Sequence, residues 1–251
     1  MNYVSLGFIC AIARDLEKLG LRNSSMPFDW CLTDFQGIIK AINNNFEGYL
    51  TYNRLLQEKK CLKHYKNVDY NVQFYHDFNR FESLDKQLPS VKAKYDRRIK
   101  RFYETIKEPT IFVRYISDDY KIDGKSTELI WIEENYDYII SSLKSFNPNN
   151  DIIFIANEGV ISNKISIYNV RKDKGDRITR SPIINNINSE LRSLFENKVD
   201  TSNRNAIRWE RKKIRLRKLI KNLFSLKYLK KQLQFGFYRV IKKNYNHPHQ
   251  Y

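Results

Sequence analysis

The chain has 251 residues, of which 41% are hydrophobic and 14% are aromatic, a composition that supports a packed core and excludes general disorder. The formal net charge is +17, but 15 of the 45 Lys and Arg residues fall between Arg204 and Lys243, where Glu210 is the single acid. That segment therefore carries +14, whereas the remaining 30 basic and 27 acidic residues give the body only +3.

The first part of the chain predicts a strand followed by two helices. Residues 3–8 form a short apolar run that is typical of a buried strand. Cys10–Leu19 has apolar residues at helical spacing and is followed by a glycine, which predicts a helix and its stop. Thr33 or Asp34 can cap a second helix that runs to about Asn44.

Helices and strands alternate in the rest of the body. The predicted elements are, in chain order, a strand at 72–74, a helix at 92–107, a strand at 110–116, a helix at 128–146, and strands at 151–156 and 164–170. This order predicts an α/β fold with a mostly parallel sheet flanked by helices, a Rossmann-like three-layer arrangement. We expect this α/β body to span residues 1–203.

Residues 204–251 form a basic amphipathic C-terminal segment, which we predict to be a helical extension. Between 204 and 243, aliphatic and aromatic residues interleave with Lys and Arg, a pattern that suits an anionic membrane surface. Each basic residue close to anionic lipid contributes about 1 kcal/mol. Nucleic acid suits the segment less well, because its apolar content is high and the chain has no nucleic-acid-binding motif. A solvated helix that packs on the body is the remaining alternative.

Cysteine usage indicates a reducing compartment. The three cysteines, Cys10, Cys31 and Cys61, are an odd number without a disulfide framework or a CxxC pair. The sequence opens without a charged-then-apolar leader, and no apolar run is long enough to predict a membrane-spanning helix. We therefore expect a cytoplasmic protein that is peripheral on the inner membrane. Metal-binding motifs are absent, so neither a metal nor a cofactor is expected.

Ligands of parallel α/β sheets bind beyond the carboxyl ends of the strands. In this chain those ends carry residues 7–10, 117–119 and 157–159, and we expect Ser5, Gly7, Asp118 and Asn157 to bind the substrate or its phosphate. A turn of small residues before a helix N-terminus can hold a phosphate, although the spacing here is not that of a known phosphate loop. Arg114, inside a strand, can bind the carboxylate or phosphate of a ligand.

Two other charged residues, Arg22 and Asp29, lie in apolar sequence contexts. Buried Arg and Asp residues usually need an oppositely charged partner. We expect these two residues to form a structural ion pair.

Cys10 and His76 are the residues best suited to nucleophilic chemistry. Cys10 lies at the predicted start of a helix, where unpaired N–H groups and the helix dipole favour a thiolate. The alternative is that Cys10 is a small buried hydrophobe. His76 follows an apolar run, where an imidazole can face a cleft and act as a base near neutral pH. The alternative is that this imidazole is hydrogen-bonded to the backbone.

Five segments of the sequence are distinctive as a set. They are Val4-Ser5-Leu6-Gly7-Phe8-Ile9-Cys10, Leu19-Gly20-Leu21-Arg22, Ser25-Met26-Pro27-Phe28-Asp29-Trp30, Tyr75-His76-Asp77-Phe78 and Phe112-Val113-Arg114-Tyr115. Together they resemble a bacterial family described as papain-like cysteine peptidases, whose members are often associated with surface-polysaccharide gene clusters. The resemblance covers about residues 3–160.

The resemblance implies a hydrolase that cleaves acyl or peptide bonds, with Cys10 as the nucleophile and His76 as its base. Asp77, Asp118 and Asn157 are the candidates for a third, orienting residue. The order of Cys before His agrees with papain-like enzymes. The sequence around Cys10 and the parallel strand pattern depart from those enzymes.

Two other functions stay open. One is a membrane-associated transferase of capsule or O-antigen biosynthesis that uses a nucleotide-sugar or lipid-phosphate substrate. The other is a non-catalytic binding protein that the basic segment anchors to a membrane. Full activity of a Cys10→Ala variant would argue against Cys10 as the nucleophile.

Overall fold

The computed structural model describes residues 1–59, 61–171, 181–184 and 189–196, with isolated positions between 209 and 220. The chain divides into two compact units, Met1–Val199 and Asp200–Tyr251. The predicted boundary between residues 203 and 204 lies outside the described residues, as does most of the predicted amphipathic segment.

Strands and helices alternate along the described part of the first unit. The strands are β1 (Asn2–Ser5), β2 (Cys31–Thr33), β3 (Leu55–Gln57), β4 (Tyr65–Asn67), β5 (Val72–Phe74), β6 (Thr110–Tyr115), β7 (Lys121–Ile122), β8 (Lys125–Ser126), β9 (Asp151–Asn157) and β10 (Ile167–Val170). The helices are α1 (Cys10–Leu19), α2 (Phe35–Asn43), α3 (Leu84–Ile106), α4 (Thr127–Glu134), α5 (Tyr136–Lys144) and α6 (Ser189–Glu196).

The central element is a four-stranded parallel sheet in the order β1-β6-β9-β10. Because side chains alternate along a strand, the two faces of this sheet build two separate cores. Phe112 and Phe154 pack in a core with residues of α2, α3, α4 and α5. Val113 and Ile155 pack in a core with residues of α1 and α6. The prediction of an α/β fold with a mostly parallel sheet is confirmed.

A second, antiparallel sheet has the order β2-β5-β4-β3. Only β5 was predicted from the sequence. All four strands have three residues, a length too short to establish a period of two, so β2, β3 and β4 had no clear signal. In β2, β4 and β5 the outer two residues are buried and the middle residue is half-exposed. Of these buried residues, the apolar ones join the core that contains Phe112: Cys31, Tyr65, Val72 and Phe74.

The predicted helices α1 and α2 are confirmed, whereas the predicted bounds of the later helices differ from the structure. Asp34 caps α2, since its Oδ1 accepts a backbone N–H of the first turn at 2.9 Å. Helix α3 begins at Leu84 rather than at Lys92. The prediction of one helix over 128–146 is wrong, because the backbone at Asn135 leaves helical geometry (φ −118°) and separates α4 from α5.

The predicted ion pair between Arg22 and Asp29 is confirmed. Arg22 Nη1 donates to Asp29 Oδ2 at 2.6 Å, and the backbone N–H of Met26 donates to the same oxygen at 2.8 Å. Arg22 Nε also donates to the carbonyl of Ala13 in α1 at 3.0 Å. Burial raises the pKa of Asp29 to about 6, although Arg22 acts in the opposite direction. The pair ties α1 to the loop that precedes β2.

Arg114, in β6, connects the two sheets and is fully buried. Its Nε and Nη2 donate to the two carboxylate oxygens of Glu128 at 2.8 and 2.7 Å. Its Nη1 donates to the carbonyl of Leu6 and to Thr33 Oγ1, both at 2.8 Å, and Nη2 also donates to the carbonyl of Thr33 at 3.0 Å. All five guanidinium N–H groups are therefore used within the chain. Arg114 binds a carboxylate of this protein and has no donor left for a ligand phosphate, contrary to the role expected from the sequence.

Replacing Glu128 with Ala should lower the free energy of unfolding by about 3–5 kcal/mol, because it leaves a buried guanidinium without its counter-charge. Urea denaturation monitored by circular dichroism measures this change. Glu104→Ala is the matched control, since Glu104 pairs with Lys100 at 3.9 Å on an exposed helix face and its loss should cost no more than about 0.5 kcal/mol. Equal costs for the two variants would contradict the proposed importance of the Arg114–Glu128 pair.

Candidate functional site

The chain segment after β1 is held against the end of β2. The backbone N–H of Thr33 donates to the carbonyl of Phe8 at 3.0 Å. Gly7 has φ +76°, and a Cβ atom at this position would lie 2.3 Å from Thr33 Oγ1. The side chain of Ser5 is buried, and its Oγ accepts the N–H of Gly7 at 3.2 Å. Ser5 and Gly7, which were expected to bind phosphate, thus contact each other, and Gly7 lies against Thr33 of β2.

A cleft of ≈ 790 Å³ opens where the carboxyl end of the parallel sheet meets the antiparallel sheet. In the following paragraphs "the cleft" refers to this cavity. One wall comes from the segments that follow β1 and β6, and includes Phe8, Ser117, Asp119 and Tyr120. Another part of the lining comes from residues at the starts of α2 and α4, including Asp34, Gln36, Thr127 and Glu128. The cleft therefore occupies the place that the sequence predicted, at the carboxyl ends of parallel strands.

The antiparallel sheet presents one row of side chains to the cleft. Leu32, Gln73 and Lys66 are the middle residues of β2, β5 and β4, and they are neighbours in strand register. Because the residues on either side of each are buried in the core, the alternation of the strands directs these three to the cleft. The row combines apolar, amide and cationic groups.

The loop between β3 and β4 contributes three reactive groups to the cleft, Glu58, Cys61 and His64. The loop is closed by backbone hydrogen bonds: Cys61 N–H donates to the Glu58 carbonyl at 3.2 Å, and His64 N–H donates to the Cys61 carbonyl at 2.8 Å. Glu58 N–H donates to the carbonyl of His64 at 2.9 Å. The imidazole of His64 packs against the ring of Tyr75, which also lines the cleft, with ring centroids 4.0 Å apart.

The structure does not join the predicted pair Cys10 and His76 by a hydrogen bond. Cys10 is the first residue of α1 and is half-buried, whereas His76 is exposed after β5. Phe8, two residues before Cys10, accepts a backbone hydrogen bond from the last residue of β2. Phe74, two residues before His76, pairs instead with the first residue of β2. The first and last residues of β2 are about 7 Å apart. Neither Cys10 nor His76 is among the residues that line the cleft.

Asp77, the first candidate for the orienting residue, binds elsewhere. Its carboxylate forms an ion pair with Lys94 and accepts a hydrogen bond from Tyr95 Oη at 2.8 Å. Tyr95 Oη in turn contacts the thiol of Cys31 at 3.3 Å. Asp77 therefore belongs to a buried polar group between β2 and α3, and it makes no hydrogen bond to His76.

The other two candidates, Asp118 and Asn157, are brought together. Asn157 Nδ2 donates to Asp118 Oδ1 at 3.2 Å, and Asn157 Oδ1 accepts a hydrogen bond from Tyr115. This contact follows from the parallel pairing of β6 and β9, which places their carboxyl ends side by side. The two side chains lie next to the cleft wall formed by Ser117 and Asp119, but do not line the cleft themselves.

Within the part of the chain that the structure describes, no group of three or more His, Cys, Asp or Glu side chains is arranged to hold a metal ion. The residues that line the cleft include thiol, imidazole, carboxylate and hydroxyl groups.

The comparisons with known proteins place this chain in a family. A family model described as "Putative papain-like cysteine peptidase (DUF1796)" matches residues 1–135. This is more than half of the chain, so the chain belongs to that family. The family predicted from the five distinctive segments is thus confirmed.

A relative from a virus is also similar. "Uncharacterized protein R408" of Acanthamoeba polyphaga mimivirus is 32% identical over 178 residues, which cover 62% of this chain and 77% of that protein. No solved structure gives a significant match to the chain. The expected bacterial source and link to surface polysaccharides are not addressed by these matches.

The sequence did not predict that Cys61 and His64 lie in the cleft. The stretch around them is polar and rich in Lys, and it has no periodicity that predicts β3 or β4. The available signal was the spacing of Cys and His by three residues, which places both at the ends of a single turn.

Gly7→Ala should destabilise the protein more than Gly124→Ala. Both glycines have a positive φ, +76° and +77°, so each substitution should cost about 1–2 kcal/mol in backbone strain. Only at Gly7 does the new Cβ meet another atom, Thr33 Oγ1. Displacing that hydroxyl removes an acceptor from the buried Arg114, which adds about 1–3 kcal/mol. Urea denaturation of both variants measures the difference, and equal losses would contradict the close approach.

Proposed function

We propose that this chain is a cysteine-dependent hydrolase that binds its substrate in the cleft and cleaves an acyl or peptide bond. The main observation in support of the proposal is that the cleft and the family match occupy the same part of the chain. All the described residues that line the cleft, from Phe8 to Trp131, fall within residues 1–135, the region that matches the cysteine peptidase family. The cleft also contains a thiol and an imidazole, the two groups that cysteine hydrolases use. A role in surface-polysaccharide assembly stays a proposal based on the family resemblance.

The charges of the cleft favour a neutral or cationic substrate. Among the described residues, its lining includes the carboxylates of Asp34 and Glu58 and one cationic side chain, Lys66. The carboxylate of Glu128 is neutralised by Arg114. An excess of negative charge repels phosphate and attracts amines or basic peptides.

The same observations weigh against the phosphate-binding transferase that the sequence left open. The guanidinium of Arg114 is fully occupied, and the Gly7 N–H donates to Ser5. Two of the groups expected to hold a nucleotide-sugar or lipid phosphate are therefore engaged within the protein. A peptide or another neutral acyl compound suits the cleft better.

We propose separately that residues 204–243 attach the protein to an anionic membrane surface. At the helical positions described in this segment, five apolar side chains are exposed: Trp209, Ile214, Leu216, Leu219 and Ile220. Exposed apolar residues among 15 basic residues suit the interface of an anionic bilayer. Among the described residues, no helix is both long and apolar enough to cross a membrane.

The double variant Cys10→Ala/Cys61→Ala tests the proposed hydrolase. A library of fluorogenic peptide amides, with basic, neutral and acidic residues beside the cleaved bond, supplies the substrates. Wild type should cleave basic or neutral members, and the double variant should be slower by at least about 10³-fold because it lacks a nucleophile. Cys31 is retained, and its resistance to alkylation in the native protein reports that the core is intact. Undiminished cleavage by the double variant would refute a cysteine-dependent reaction.

Vesicle flotation of the full chain tests the membrane proposal. The protein should bind vesicles that contain phosphatidylglycerol, and binding to neutral phosphatidylcholine or at high salt should be much weaker. Leu216→Asp/Leu219→Asp should reduce binding by at least tenfold, since it removes two apolar anchors. Ile161→Asp is the control, because Ile161 is at least as exposed as the two leucines but lies in the first unit. Equal binding by all three proteins would exclude this segment as the attachment site.

A further inference from the structure

The three cysteines of the chain lie in different environments, and one of them faces the cleft. Cys31 is fully buried beside Tyr95 Oη, and burial raises the pKa of its thiol to about 12, so it is not a thiolate at neutral pH. Cys10 is half-buried at the start of α1 and does not line the cleft. Cys61 is half-buried and does line it. Of the three cysteines, Cys61 is therefore the one that a substrate in the cleft would lie beside.

Cys61 has an imidazole at the other end of its own turn. The hydrogen bond from His64 N–H to the Cys61 carbonyl, at 2.8 Å, closes a four-residue turn, which keeps the two Cα atoms within about 7 Å. Both side chains line the same cleft. No hydrogen bond joins the thiol to the imidazole in this structure, and a thiol has one side-chain torsion, χ1, by which to reach it. Catalytic hydrogen bonds commonly tighten only when substrate binds.

The surroundings of His64 keep its imidazole in the form that accepts a proton. Partial burial lowers the pKa of His64, as does the neighbouring Lys63, while Glu58 acts in the opposite direction and His76 lowers the pKa further. The ring of Tyr75 packs on one side of the imidazole and limits its rotation. A neutral, oriented imidazole beside a thiol is the arrangement that general-base catalysis requires.

We propose that Cys61 is the nucleophile of this hydrolase and His64 its base, in place of Cys10 and His76. This inference rests on the proposed function and deepens it. The thiol proton of Cys61 passes to His64 as the sulfur bonds to the substrate carbonyl carbon. His64 then gives that proton to the leaving amine or alcohol as its bond to carbon breaks, which leaves a thioester on Cys61. Water attacks the thioester, its proton passes through His64 to the sulfur, and the carboxylic acid leaves.

Alkylation kinetics of the full chain test the assignment. Iodoacetamide labelling is followed by peptide mass spectrometry from pH 5 to pH 9, in wild type, His64→Ala and His76→Ala. Cys61 should be the fastest of the three cysteines, with labelling well below the ordinary thiol pKa of about 8.5. His64→Ala should slow Cys61 labelling at least tenfold near pH 6.5, and His76→Ala should change it less than twofold. Protection of Cys31 in every variant reports that the fold is retained.

Cleavage of the peptide amide library by the single variants separates this inference from the proposed function. Loss of cleavage in Cys61→Ala, with retention in Cys10→Ala, supports the assignment of Cys61. Loss in Cys10→Ala with retention in Cys61→Ala overturns it and restores the predicted nucleophile, while the hydrolase itself stands. Retention in both single variants and in the double variant would refute the hydrolase and the inference together. Labelling of Cys61 that is slow and independent of His64 would also overturn the assignment.

Discussion

The arrangement of the first unit depends on one buried ion pair, between Arg114 of the parallel sheet and Glu128 of α4. The guanidinium of Arg114 binds Glu128 of α4, the carbonyl of Leu6 after β1 and Thr33 at the end of β2, so a single side chain of β6 contacts three other segments. A buried pair of this kind contributes little net stability compared with an apolar replacement, but it penalises other arrangements of the same segments. We interpret it as the constraint that fixes the angle between the two sheets.

The cleft is a consequence of that constraint. Arg114 and the close approach of Gly7 to Thr33 bring the carboxyl end of the parallel sheet against the antiparallel sheet. The half-exposed faces of β2, β4 and β5 then become a wall of the cavity rather than open surface. Charged side chains in the interior, such as those of Arg114 and Asp77, have partners within the protein. Cys61 and His64 instead lie on a loop, where reactive groups are commonly found.

Much of the architecture could be predicted because the signals were local and strong. Apolar periodicity and a following glycine defined α1, and the cap at Asp34 defined the start of α2. The ion pair of Arg22 and Asp29 was predictable because a lone charge in an apolar core is costly. The hairpin of β7 and β8 was missed although its Asp123-Gly124 turn, with φ of 50° and 77°, is a well-known sequence signal.

The sequence by itself determined that the chain is an α/β protein of the cysteine peptidase family and that its basic charge is concentrated after residue 203. Helix periodicity, caps and charge runs are properties of contiguous residues, so they can be recognised from the sequence alone. Only the tertiary structure decided which side chains share the cleft. Arg114 and Asp77 bind partners 14 and 17 residues away, so Arg114 has no donor left for a ligand phosphate and Asp77 makes no hydrogen bond to His76. Cys61 and His64 lie in the cleft because the antiparallel sheet places their loop at the edge of the parallel sheet. The strands of that antiparallel sheet are too short to predict from the sequence.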